Sequence, residues 1–488
     1  MTVAQVKAIS GTNLFRRLFL TQKKGKHCRS LQHRCLPTNE EGRGRERYHA
    51  GTVTTCTMQR QLPILICGGG IAGTTLAYWL RRGGKSSVIV ERAPTPRSCG
   101  QNIDLRGSGR EIISMMGLED RVRKATTTED GTAIIDQKGR HWGSFPMQTK
   151  EKGGSISAEL EILRSDLASI LYDATKDDTE FIFGDSVEAI REKEDRIEVQ
   201  FQSGTHREFS LVVGADGIGS KTRALAFGDE ATEAYHPLGL YQAYFSIPNL
   251  DTGRWARWLH APLGRSLLVR PNGKGGTTVL INWRRDHATI ERHLRSSGAK
   301  EEIARGFEDI EWDIMPQLMD GMMISEDFYG AEVAQIKLNS WSRGRVALVG
   351  DAGYCPSSVS AMGTSCAITG AYFLAGELCR HGCYVTAFRE YESSLRKYVG
   401  DAQKLMPSET ALQNPQWMVG ILLIRVFATI ISYLNLQKYC VPDDRPEDMK
   451  LGRYETKNKP KTQRSYGDST SRLQRAKLHF RLQNEFRN

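Results

Sequence analysis

Cysteine is sparse and unpatterned, at 10 of 488 residues, and no framework spacing occurs. HCRSLQHRC (27–35) and CRHGC (379–383) each lack a second half at zinc-site spacing, so neither is read as a metal site. A reducing compartment follows, with Cys67, Cys355 and Cys366 acting as small hydrophobes in apolar segments. Long hydrophobic runs are nearly missing. The one candidate, WMVGILLIRVFATIISYL (417–434), has 18 residues and is interrupted by Arg425. That length is the lower limit for a bilayer span, and a charge at its centre costs about 2.5–3.5 kcal/mol on insertion scales. A helix docked on the protein body and an attachment to a membrane both remain open.

Acidic residues are absent before Glu40, while Arg16, Arg17, Lys23, Lys24, Lys26, Arg29 and Arg34 precede it. That composition fits an organellar transit peptide. A second reading takes Met58 as the natural start, because a β-strand follows within a few residues. No apolar h-region is present, so a secretory signal is not expected. The net charge of +11 is likewise uneven. Residues 1–57 and 450–488 each carry 11 Lys/Arg against 3 Asp/Glu, which leaves the middle mildly acidic. Basic ends on an acidic body argue against nucleic-acid binding by the body and read as solvated tails. A cytoplasmic location is expected, with mitochondrial or membrane-associated alternatives resting on residues 1–57 and 417–434. No catalytic triad, metal cluster or catalytic base is apparent.

What is present is a dinucleotide fingerprint. PILICGGGIAGTTLAYWLRRGGKSSVIVERA (63–93) reads as strand, glycine turn, helix, strand. Gly68 makes the tight turn, Gly70 lets backbone approach a pyrophosphate, and Gly73 lets helix pack on strand. The second strand ends at Glu91, followed by Arg92; a carboxylate there can accept ribose hydroxyls. No second fingerprint of this kind occurs, so a separate nicotinamide-binding Rossmann domain is not expected.

Two later stretches share the pattern of strand followed by glycine and carboxylate. They are FSLVVGADGIGSKTR (209–223) and GRVALVGDAGYCPSSVSAMGTS (344–365). Between them, LYQAYFSI, RSLLVR and TTVLINW alternate as strands, with a PNGKGG hairpin turn, and residues 301–322 show helical apolar spacing. Tyr241, Tyr244, Trp255, Trp258 and Trp283 could line an apolar pocket or be plain core. His236, His260 and His287 could be acid–base groups or ordinary surface or satisfied histidines.

The three glycine motifs, in this order, resemble those of the group A FAD-dependent monooxygenases, of the para-hydroxybenzoate hydroxylase type. GQNIDLRGSGREIISMMGLED (100–120) and ILRSDLASILYD (162–173) agree, and the resemblance covers roughly residues 60–440. It is greatest to the branch containing tetracycline-inactivating and fungal secondary-metabolite monooxygenases. It implies an α/β fold in which a Rossmann-like FAD domain interleaves with a β-sheet substrate domain, followed by C-terminal helices.

Carried over by position, Glu91 would hold the adenosine ribose and Arg164 would touch the flavin's linking chain. Asp216 and Gly217 would support the pyrophosphate region and help accommodate NADPH or NADH. Asp351 would hydrogen-bond the ribityl chain, and the helix from Gly363 would point its positive end at the flavin. The implied domains are a basic extension (1–57), a discontinuous FAD domain (58–235 and 332–405), a substrate sheet (236–331), C-terminal hydrophobic helices (406–441) and a basic disordered tail (442–488). The implied reaction uses NAD(P)H and O2 to hydroxylate or epoxidise a small organic molecule.

A flavin halogenase, oxidase or dehydrogenase, and a non-catalytic FAD-binding protein, are the competing readings. WARWLHAP (255–262) lacks the spacing of the tryptophan-halogenase signature. Tyr354, Ser357, Ser358 and Ala361 depart from the family's third motif. The Ala361 change matters if that position needs φ above zero.

Overall fold

The computed structural model describes residues 62–96, 100–127, 129–146, 160–248, 250, 253–406, 409–436, 451 and 454. The expectations for residues 1–57 lie outside this set.

Two sheets organise the chain. The first is six-stranded, in the order β17 (Ser342–Arg343), β18 (Val346–Leu348), β11 (Leu211–Gly214), β1 (Ile64–Cys67), β2 (Ser87–Glu91), β7 (Glu180–Phe183). All neighbours are parallel except β17 and β18. The strands ILIC, LVVG and VAL are buried throughout, as continuous apolar runs must be when both faces of a parallel sheet are covered. Helices Ile71–Arg82 and Gly363–Arg380 share one core with this sheet. On the other face lies a three-stranded sheet of β8 (Val187–Glu192), β9 (Ile197–Phe201) and β10 (His206–Phe209).

The second sheet is seven-stranded, in the order β16 (Tyr329–Ile336), β12 (Tyr235–Pro248), β15 (Gly276–Arg284), β14 (Arg265–Pro271), β13 (Trp255–Ala261), β4 (Gly131–Ile135), β5 (His141–Pro146). It draws β4 and β5 from a segment expected to belong wholly to the FAD domain. The seven-stranded sheet therefore extends beyond 236–331, because β13 pairs in parallel with β4. Alternation splits its faces. Tyr241, Phe245, Leu259, Leu267, Ile281 and Trp283 pack in one core with residues of the helices behind the sheet, such as Ile303 and Leu318. Each such side chain contributes about 1.5–3 kcal/mol by burial. The helical pattern at 301–322 resolves into two helices, Ala299–Gly306 and Met315–Ile324. Gly306 ends the first against the Trp283 ring, and Pro316 starts the second.

The C-terminal hydrophobic segment forms helix Met418–Tyr433. Ile424, Ala428 and Ile431 pack on Ile134 and Phe145, so the docked reading describes its inner face. Its outer face leaves Val419, Leu422, Val426 and Ile430 exposed. Among the described residues no helix is long and apolar enough to cross a membrane. The basic tail, expected to be disordered, is tied at its two described residues, Leu451 and Tyr454, which both pack against the core of the parallel sheet. The Tyr454 hydroxyl donates to Glu377 at 2.7 Å, and its ring lies where a Cβ on Gly376 would clash.

A short two-stranded sheet, β3 (Asn102–Asp104) with β6 (Glu161–Leu163), joins the two units. Arg270 of β14 reaches it, bonding Glu129 at 2.8 Å and Glu161 at 2.6 Å. Both carboxylates are buried, with side-chain exposures of 0% and 3%. Burial, opposed by Arg270 and reinforced by the Glu129 charge, pushes Glu161 up to about 8. A carboxyl raised in the folded state stabilises below its unfolded value near 4.5, and that contribution is lost as pH rises through 8. Glu161→Gln should therefore flatten the decline in denaturation midpoint between pH 5 and pH 8.5. Arg270→Met, which strands the buried Glu129 carboxylate, should cost about 3–5 kcal/mol. Urea melts of the three proteins at both pH values test this.

Candidate active site

The glycine motifs lie at neighbouring strand ends. Register pairs Cys67 with both Val90 and Gly214, and Gly214 with Leu348. Because these strands are parallel, the loops after β2, β1, β11 and β18 emerge side by side at one carboxyl edge. Ligands of open α/β sheets bind at such an edge.

Each loop is shaped by what its glycines touch. Gly68 has φ +111°, and a Cβ there would stand 2.5 Å from the Ala215 carbonyl oxygen. A Cβ on Gly73 would stand 2.0 Å from the Gly68 carbonyl oxygen. Those two glycines are held by protein. Gly70 has no neighbour within 4 Å, and neither does Gly217 at φ +80°. Their open sides are where a pyrophosphate can approach. Glu91, at the end of β2, accepts from the N–H of Gly69 at 2.8 Å and of Ala93 at 3.0 Å. Each carboxylate oxygen keeps a lone pair for a ribose hydroxyl. Arg92 is exposed beside it.

Asp216 faces inward: its carboxylate accepts from Ser220 Oγ, Thr222 N and Thr222 Oγ1. It shapes the loop as a helix cap, and Gly217 presents the open backbone. Arg223, buried, then staples two motifs by donating to the carbonyls of Ile218 at 2.7 Å and Ala352 at 2.9 Å.

Asp351 is half-buried, and one carboxylate oxygen lies 3.8 Å from a Cβ placed on Gly363. Burial first, then the Asp351 charge, pushes the Cys355 and Cys366 thiols up, so both stay neutral. Helix Gly363–Arg380 begins here, its positive end beside that carboxylate. Arg164 starts helix Arg164–Asp173 with its N–H on the Gln101 carbonyl at 2.9 Å. Its guanidinium is near enough to act electrostatically on Tyr244 of the substrate sheet.

The departures in the third motif have structural answers. Ala361 does stand at φ +53°, and Ser357 at φ +84° with ψ +158°, a region normally left to glycine. Ser357 Oγ is buried without a hydrogen-bond partner among the described residues. Tyr354 is core: its hydroxyl bonds that of Tyr391 at 2.9 Å, and Gly370 leaves it room.

Of the aromatic candidates, Tyr241, Trp255 and Trp283 join the core on the helix side. Tyr244 and Trp258 lie on the opposite face and are partly exposed in mid-sheet, as are Leu280 and Leu268 beside them, which marks a recess. Burial, and secondarily Arg425, presses His260 down to about 3, so it is neutral. His287 pairs with Glu332 at 2.8 Å, and His236 with the Ala234 carbonyl at 2.9 Å. Sequence reasoning missed Gln242, Asn282 and Ser266, which sit on the recess face, because their strand register was not known. Among the described residues no His, Cys, Asp and Glu group could hold a metal.

Fold and loops together define a flavoprotein built from an FAD-type α/β domain and a substrate sheet. The family model described as FAD binding domain matches residues 61–381, and the chain belongs to that family, in the group A flavin-dependent monooxygenases. Monooxygenase CTB7 of Cercospora beticola is 36% identical over 394 residues, spanning 76% of this chain and 93% of its own. FAD-dependent monooxygenase asL4 of Sarocladium schorii is 36% identical over 408 residues, spanning 77% and 94%. The solved tetracycline destructase Tet(51) is 29% identical with a TM-score of 0.65, covering 78% of this chain and all of that one. The chain is an FAD-dependent monooxygenase, with O2 and a small molecule as substrates and the NAD(P)H use typical of its family.

The two kinds of glycine separate by experiment. Gly70→Ala fills open space at an ordinary φ, so the apoprotein should melt like wild type while FAD affinity falls at least about tenfold. Gly73→Ala must displace the Gly68 turn and should cost about 1–3 kcal/mol of stability. Apoprotein melts and flavin-fluorescence titration distinguish the two.

Proposed function

We propose that Gly68, Gly70 and Gly73 cradle the FAD pyrophosphate, Glu91 and Arg92 meet its adenosine end, and Arg164 its linking chain. In this reading Asp216 and Gly217 shape the pyrophosphate edge, Asp351 accepts from the ribityl hydroxyls, and the Gly363 helix end faces the flavin ring. Bound there, FAD would carry electrons from NAD(P)H to O2 and deliver one oxygen atom to the substrate. The protein's part is to position and to exclude water. Tyr244, Leu280, Leu268 and Trp258 would hold a flat, largely apolar molecule over the ring, consistent with an aromatic or polyketide-like secondary metabolite. What supports this most is the alignment of all the motif loops at one sheet edge.

Protein loaded with FAD, given NADPH or NADH and an aromatic metabolite panel under 18O2, should yield product carrying one 18O atom, with reductant consumption stimulated by that metabolite. Hydrogen peroxide as the sole product, a halogenated product with chloride present, or a protein that never binds flavin would overturn the reading.

We further infer that the outer face of helix Met418–Tyr433 rests on a bilayer surface. Support comes from its exposed apolar stripe, from Trp417 and Tyr433 exposed at its two ends, and from the basic composition of residues 450–488 further along the sequence. Full-length protein should sediment with vesicles containing anionic lipid, and Leu422→Glu with Ile430→Glu should abolish it. Wild-type protein left in the supernatant would refute the attachment.

A further inference from the structure

The recess face of the seven-stranded sheet carries a row of amides and hydroxyls for which the flavin-binding reading has no use. Register sets Gln242 opposite Asn282, and Asn282 opposite Ser266. All three are more than nine-tenths buried. They form one continuous chain of hydrogen bonds whose direction is fixed at its far end. Asn414, buried beyond the sheet, donates from Nδ2 to the Thr410 carbonyl at 3.3 Å. A carbonyl oxygen can only accept, so Asn414 must turn its own Oδ1 toward Ser266.

The rest follows by elimination. Ser266 donates to Asn414 Oδ1 at 2.7 Å, so its oxygen accepts from Asn282 Nδ2 at 3.1 Å. Asn282 Oδ1 then accepts from Gln242 Nε2 at 2.7 Å. Gln242 Oε1 is left as an acceptor and receives two hydroxyls, Ser358 of the third motif at 2.6 Å and Tyr244 at 3.0 Å. A phenol has one proton, and that of Tyr244 is committed to Gln242. Toward the recess its oxygen offers lone pairs alone. Burial pushes the phenol up, so it stays neutral and does not become a phenolate.

We propose that Tyr244 is a specificity-determining acceptor. It takes a hydrogen bond from a substrate that carries a hydroxyl or N–H donor on a flat apolar framework: a phenol, an enol or an aromatic amine. Gln242, Asn282, Ser266 and Asn414 are positioning residues that impose this polarity from the Thr410 carbonyl. Were the chain reversed, Tyr244 would donate and select carbonyl oxygens instead. The inference rests on the monooxygenase reading for the use of the recess, but the polarity itself is a property of the protein alone.

Ultraviolet resonance Raman spectra of FAD-loaded wild type minus Tyr244→Phe isolate the Tyr244 ring doublet, whose intensity ratio separates donating from accepting phenols. A donating signature is expected, and an accepting one overturns the proposal. Gln242→Met should shift the doublet, whereas Gln242→Glu, which keeps an acceptor for both hydroxyls, should preserve it. A merely structural role would lower both melting temperatures and leave the doublet unmoved.

1-Naphthol and 1-methoxynaphthalene, titrated against flavin absorbance, then probe the ligand class. Wild type should prefer the naphthol by about tenfold, and Tyr244→Phe should erase the preference. Equal affinities, or no binding of either, would overturn the ligand class. Flavin content and NADPH oxidation in the same preparations keep that failure distinct from failure of the monooxygenase reading.

Discussion

The parallel hydrogen bonding of β18, β11, β1 and β2 is the constraint on which the rest of the molecule depends. It converts three glycine motifs, separated by well over a hundred residues each, into adjacent loops on one edge. Arg223 reinforces that alignment by tying the second motif to the third through two backbone carbonyls. Burial lowers the tendency of this guanidinium to hold its proton, and the nearby Asp216 charge opposes that.

The substrate sheet works by contrast between its faces. One face is packed apolar against helices and makes the sheet rigid. The other keeps a buried polar row beside a partly exposed apolar one. Rigidity matters because the polar row meets the third motif through Ser358, so loop and sheet share one hydrogen-bonded framework. The Arg270 cluster at the β3–β6 junction is a second tie between the units, made of charges where the first is made of neutral groups.

The third motif also shows how a family pattern tolerates change. Ala361 and Ser357 hold backbone angles that glycine adopts more readily, although each carries a Cβ, at a cost of about 1–3 kcal/mol apiece. Their surroundings over-determine that course: Ala361 N–H bonds the Ser358 carbonyl at 3.1 Å, and Ser360 Oγ bonds the Ser357 carbonyl at 2.9 Å. Tyr354 is absorbed in the same manner, with Trp341 and Tyr391 closing around its ring.

The fingerprint at 63–93 was legible in the chain because its spacing is local: a turn, one helix and a return strand fix where Gly68, Gly73 and Glu91 must stand. The same holds for the β12, β14 and β15 alternation and for the family to which the motif order points. What sequence could not decide was which partner each strand takes. β4 and β5 join the substrate sheet through a pairing more than a hundred residues distant, and the roles of Tyr241 and Tyr244 separate only once register assigns them to opposite faces. The direction of the Gln242 chain depends on a carbonyl at Thr410, far along the polypeptide. Local periodicity and spacing determined the elements and an ADP-containing cofactor, and the resemblance carried by the motif order pointed to FAD; long-range hydrogen bonding, which leaves no mark at any one position, decided the shape and polarity of the recess.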